Sequence, residues 1–67
     1  MTSTFERVLD QVGAAVVSGA VAVGSRRSVD DLVTWTGASR SIVREAVRVL
    51  VALGLLSARR RVGVTVL

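Results

Sequence analysis

The chain has 67 residues and no cysteine, histidine or proline, so it is one small domain near the lower limit of what folds without a disulfide or metal staple. Hydrophobic residues make up 51 %, enough for one compact core. The absence of His and Cys, and of any carboxylate pair at an evident spacing, leaves no nucleophile–base set and no metal cluster, so the chain is not read as an enzyme and no cofactor is expected in it.

The formal charge is +4, and all nine basic residues are arginine. Their placement is uneven. Residues 1–38 hold Arg7, Arg26 and Arg27 against Glu6, Asp10, Asp30 and Asp31, while residues 39–67 hold Arg40, Arg44, Arg48, Arg59, Arg60 and Arg61 against Glu45 alone. A near-neutral half joined to an arginine-rich half is the electrostatic footprint of a polyanion binder. The start, Met1 to Glu6, has no basic residue to open a secretory signal. The most apolar stretch, Val12 to Val23, is broken by Gly13, Ser18 and Gly19 and is shorter than the roughly 20 residues of a membrane span. A soluble, cytoplasmic protein is expected.

The first helix is predicted from about Thr4 to Ser18. Phe5, Val8, Leu9, Val12 and Val16 share one face, Ser3 or Thr4 can cap the start, and Gly19 is a plausible stop. Ala20 to Arg27 reads as a connector with Gly24 as a turn residue. The second helix, about Val29 to Thr36, has Ser28 as N-cap with Asp31 three residues on, a pair resembling a capping box. Its apolar stripe is Val29, Leu32 and Val33, continued by Thr36, and Trp35 falls off that stripe, either packed on a neighbouring element or turned toward a separate effector domain.

The third helix follows Ser39 and runs to about Leu53. Val43, Ala46, Val47, Leu50 and Leu53 form its apolar arc, and Arg40, Arg44 and Arg48, four residues apart, form a ridge on a different side. Two strand candidates close the chain: Leu55 to Arg59, and Val62 to Leu67 with Val62, Val64 and Val66 alternating. Arg59, Arg60 and Arg61 fall at the hairpin tip. The expected core is Val8, Leu9, Val12, Leu32, Val43, Val47 and Leu50.

A short helix joined to a longer one through Thr36-Gly37-Ala38-Ser39 is the helix-turn-helix pattern, in which the second helix enters the major groove and its N-terminal residues touch base edges. The predicted fold is therefore mostly α: a three-helix winged helix-turn-helix with a two-stranded β-hairpin wing, the recognition helix at about 39–53 and the wing at about 57–66. Arginine suits the task because its planar fork can bridge O6 and N7 of guanine. The Ser39 and Ser41 hydroxyls can meet a phosphate or a base, and Ile42 a thymine methyl. Arg48, a turn farther from the helix start, suits a phosphate contact or an ion pair, and Glu45 suits orienting an arginine.

Residues 37–50, Gly-Ala-Ser-Arg-Ser-Ile-Val-Arg-Glu-Ala-Val-Arg-Val-Leu, together with Leu53-Gly54-Leu55-Leu56 and the 59–66 segment, resemble GntR-type transcriptional regulators, the FadR-like subgroup most nearly. The resemblance implies operator contacts from Ser39, Arg40, Ser41 and Arg44, with Gly63 as the glycine of the wing tip and Arg59, Arg60 and Arg61 on backbone or minor groove. It implies double-stranded DNA as the partner, in a pseudo-palindromic operator bound by a homodimeric parent protein that acts as a repressor. It also implies a separate C-terminal domain that binds a small metabolite and dimerises; residues 1–67 are expected to be the DNA-binding domain alone. Three positions depart from the family pattern, the first being Arg27, where an apolar residue is usual just before the helix cap. Asp30 stands where an operator-contacting Arg is frequent, so no such contact is expected there, and Arg61 stands where the wing's first glycine is usual.

Other classes fit less well. A winged helix used for protein–protein contact would not need the arginine ridge. A single-strand or RNA binder favours exposed aromatic platforms, and this chain has only Phe5 and Trp35. An amphipathic membrane binder would need its basic residues to flank the apolar face of one helix.

Overall fold

The computed structural model describes residues 3–67. Its first helix, α1 (Thr4–Val17), starts at Ser3, whose Oγ accepts the Glu6 amide at 3.1 Å. That bond satisfies one of the amides left open at a helix start. The helix ends at Ser18, and Val8, Val12 and Ala15 are its buried residues.

The second helix, α2 (Val29–Thr36), has both halves of a capping box. Ser28 Oγ accepts the Asp31 amide at 3.0 Å, and the Asp31 carboxylate accepts the Ser28 amide at 2.9 Å. The Ser28 amide, with the Ser28 hydroxyl and the Arg27 charge adding to the effect, holds the Asp31 carboxyl below its ordinary value of 3.8. The helix stops at Gly37, which takes the left-handed conformation (φ +71°) and donates its amide to the Val33 carbonyl at 2.9 Å. Glycine is favoured there because a side chain raises the energy of that backbone state. Thr36, buried, donates its hydroxyl to the Leu32 carbonyl at 2.7 Å and accepts the Ala38 amide at 3.3 Å. Arg7 reaches across from α1 and donates to the Thr36 carbonyl at 3.0 Å, placing a cation at the negative end of α2.

The turn delivers the chain into α3 (Arg40–Ala52), capped by Ser39, whose Oγ accepts the Ile42 amide at 3.3 Å. Helix α3 is the centre of the fold, packing on both other helices and on the strand that follows it. Val43, Ala46, Val47 and Leu50 carry its buried side, with Val43 fully inaccessible. The core joins them to Val8, Val12, Leu32, Ala38, Leu56, Val64 and Val66. Leu9 of the expected core is only partly buried and packs on its edge.

The expected hairpin forms, and a third strand joins it. Strands β1 (Arg26–Arg27), β2 (Leu56–Arg59) and β3 (Gly63–Val66) make an antiparallel sheet in the order β1-β3-β2. The connector of the sequence reading thus contains a strand. Arg26 opposes Thr65 and Arg27 opposes Val64, extended by Gly24 donating to Val66 and Val66 donating to Ser25 at 2.8 and 3.0 Å. Two residues carry no periodicity, so only the presence of β3 as a template defines β1. The sheet turns Leu56, Val64 and Val66 inward into the shared core. Trp35 is 46 % exposed and lines an open groove with Val16, Val21 and Leu32. Among the described residues no helix is long and apolar enough to cross a membrane.

Candidate nucleic-acid interface

With Val43, Ala46, Val47 and Leu50 committed to the core, the geometry of a 3.6-residue turn assigns the remaining positions of α3. Ser41, Arg44, Glu45 and Arg48 fall on the outward face, all exposed. Arg44 makes no side-chain hydrogen bond among the described residues, so its guanidinium is available to a ligand. Arg48 donates to Glu45 at 2.9 Å, one turn back on the same helix. Arg48 thus has Glu45 as an ion-pair partner, while its exposed guanidinium keeps further N–H donors free.

Two other candidates lie on the flanks. Ile42 is half-buried against the core and, with Phe5 of α1, Ser41 and Glu45, borders a small hollow, so much of its apolar surface is used in packing α3 onto α1. Arg40 lies on the opposite flank, beside α2, where its Nη2 donates to Asp30 Oδ1 in an ion pair. Sequence reasoning recorded Asp30 only as a lost contact; the pairing joins residues ten positions apart and was not visible in any local pattern. Ser39 is exposed and uses its oxygen as the α3 cap, while its hydroxyl proton remains able to donate outward.

The wing begins where β2 ends. Arg59 opposes Gly63, and Arg60, Arg61 and Val62 form the three-residue turn between them, with the Val62 amide donating to the Arg59 carbonyl at 3.3 Å. Arg59, Arg60 and Arg61 are exposed, and among the described residues none of them forms an ion pair. Arg61 adopts φ +68°, the state a glycine would take without strain. Gly63 is not at the tip as expected. It opens β3, and a Cβ added to it would stand 2.8 Å from the Arg27 carbonyl oxygen. Its role is to let β1 approach β3. That approach also brings Arg26 and Arg27, which the sequence reading placed in a connector, onto the same sheet as the wing. The signal that could have found them is the pair of adjacent arginines just before a helix cap.

A helix presenting Ser41 and Arg44, with a separate arginine cluster on a hairpin beyond its far end, is the architecture of a winged helix-turn-helix. A model of bacterial regulatory proteins of the gntR family matches residues 4–66, and the chain belongs to that family. Among solved structures, AraR(DBD) in complex with operator ORR3 superposes with a TM-score of 0.89 over 100 % of this chain and 82 % of that one, at 24 % identity. The NTD of AraR in complex with a mutant ORR3 gives the same TM-score and identity over 100 % of this chain and 97 % of that chain. A GntR-family transcriptional regulator matches with a TM-score of 0.81 and 27 % identity over 97 % of this chain, which spans 26 % of that protein. No curated protein matches.

Proposed function

We propose that this domain binds double-stranded DNA in a sequence-specific manner, as the operator-reading part of a bacterial transcriptional regulator. The observation that carries the reading is the exposed Arg44, without an ion-pair partner among the described residues, beside Ser41 at the start of α3, on a fold shared with proteins solved in complex with operators. In this arrangement α3 enters the major groove. Arg44 and Arg40 supply base readout through bidentate contacts, and Ser39 and Ser41 bond phosphates or base edges. Arg48, Arg59, Arg60 and Arg61 supply sequence-independent attraction to the backbone, which accounts for most of the affinity.

The parent regulator, in this proposal, is a homodimer of the FadR-like kind acting in the cytoplasm. Its two domains read the half-sites of a pseudo-palindrome, and a small metabolite bound elsewhere releases repression. The subgroup rests on the 37–50 and 59–66 segments, and the dimer on the two-fold symmetry that paired half-sites require.

Selection of bound duplexes from a random pool at near-physiological salt tests the function, with Arg44→Ala as control. Enrichment of one short motif, lost in the control, is the expected result. Salt-sensitive binding to every duplex without enrichment would leave affinity without readout. No binding at low salt would refute the proposal and favour a protein partner.

A further inference from the structure

We propose that Asp30 is a positioning residue for DNA readout: by holding the Arg40 guanidinium, it raises discrimination between sequences while lowering affinity for all of them. This inference rests on the duplex-binding function proposed above.

The ion pair spans the helix-turn-helix joint, linking the first turn of α2 to the first turn of α3. Both ends are held by independent local structure. The Ser28–Asp31 capping box sets the start of α2, the Ser39 cap sets the start of α3, and Gly37 and Thr36 lock the turn between them. The backbone that carries each partner is therefore fixed, and the short Asp30 side chain tethers the longer arginine to it. The contact uses only Nη2 of Arg40 and Oδ1 of Asp30. An arginine has five N–H donors, so the second N–H of Nη2 remains, paired with a neighbouring guanidinium N–H, for a guanine edge.

The pair is a poor device for stability. The two side chains are 55 % and 69 % exposed, and an exposed pair of this kind adds little to the stability of the fold. Its consequences arise when DNA displaces that solvent. A guanidinium already confined by Asp30 loses less conformational freedom on docking to a base, so a correct base pair is rewarded more fully. The carboxylate meanwhile cancels the Arg40 charge toward phosphates, an effect that is the same on every sequence. Arg44, which has no such partner, retains its full sequence-independent attraction. The two arginines thus differ in kind: Arg40 contributes geometry, and Arg44 geometry and charge.

The test uses the 67-residue chain with selected and scrambled duplexes, comparing wild type, Asp30→Asn, Asp30→Glu, Arg40→Ala and the Asp30→Asn/Arg40→Ala double variant across a salt series. Asp30→Asn is expected to bind scrambled duplex about five- to tenfold tighter at about 0.1 M salt, with a log–log salt slope steeper by about one. Its selected-to-scrambled ratio should fall by at least about fivefold, at the same base pairs that Arg40→Ala relaxes. Asp30→Glu should recover most of the ratio, and the double variant should lose no more of it than Arg40→Ala alone. An Asp30→Asn ratio equal to wild type overturns the inference. A sharper Asp30→Asn motif also overturns it, because Asp30 would then be masking Arg40. If wild type selects no motif, the duplex-reading function itself fails, a result distinct from either. A thermal melt of each variant separates these effects from loss of fold.

Discussion

Replacing Gly63 with alanine should destabilise the domain by about 2–4 kcal/mol, far more than the same change at Gly37. Two costs add at Gly63. Its φ of +89° is a state that carries about 1–2 kcal/mol for a residue with a Cβ. The new Cβ would also stand 2.8 Å from the Arg27 carbonyl oxygen and 3.5 Å from its carbon, atoms of a backbone held in register against Val64. Relieving such a contact means moving β1, and overpacking of this type costs about 1–3 kcal/mol. Gly37 has φ +71° with nothing within 4 Å of its added Cβ, so Gly37→Ala isolates the conformational cost at about 1 kcal/mol.

A domain of this length has about 3–10 kcal/mol of stability in total. The Gly63 variant should therefore melt about 10–20 °C lower and the Gly37 variant about 5 °C lower. Urea and thermal melts followed by circular dichroism measure both. If β1 detaches instead, the penalty appears as lost hydrogen-exchange protection at the amides of Gly24 and Val66, which bond across the β1–β3 side of the sheet. Equal melting temperatures for the two variants, with unchanged protection at those amides, would refute the role assigned to Gly63.

Other outcomes are expected at the interface and the caps. Arg44→Ala should weaken binding to the selected duplex by about 1–3 kcal/mol and relax specificity at one position, whereas Arg60→Ala should mainly shrink the salt slope by about one; equal slopes for wild type and Arg60→Ala would remove Arg60 from the backbone contacts. Arg61→Gly should stabilise the fold by about 0.5–1 kcal/mol, because relief of its positive φ outweighs the entropy of an added glycine; a lower urea midpoint would contradict this. Because the Asp31 carboxyl is depressed in the fold, its stabilising effect is present above pH 3.8 and is lost as pH falls through its lower folded value. Ser28→Ala should cost about 1 kcal/mol at neutral pH, and Asp31→Asn should flatten the decline in stability on acidification; parallel pH profiles for Asp31→Asn and wild type would exclude the Asp31 carboxylate as the source.

Much of this molecule was legible along the chain. Helix α2 was placed at its observed limits because both of its ends are local events: Ser28 and Asp31 close the first turn, and Gly37 supplies the left-handed stop. Ser39 and the arc of Val43, Ala46, Val47 and Leu50 defined α3 in the same way, since residues within four positions decide a cap and a helical face, whereas Leu53, expected on that arc, caps the helix end and is exposed. The concentration of arginine after residue 39 was visible without any structure. What only tertiary structure decided is what depends on residues distant in sequence. Strand β1 exists because β3 lies beside it. Gly63 serves that approach and not the wing tip. Ile42 borders a hollow with Phe5 because α1 packs against α3, and Arg40 meets Asp30 because the joint folds two helix starts together. Each of these contacts forms only after a loop has closed, and nothing in the neighbouring residues encodes which group will be waiting on the other side.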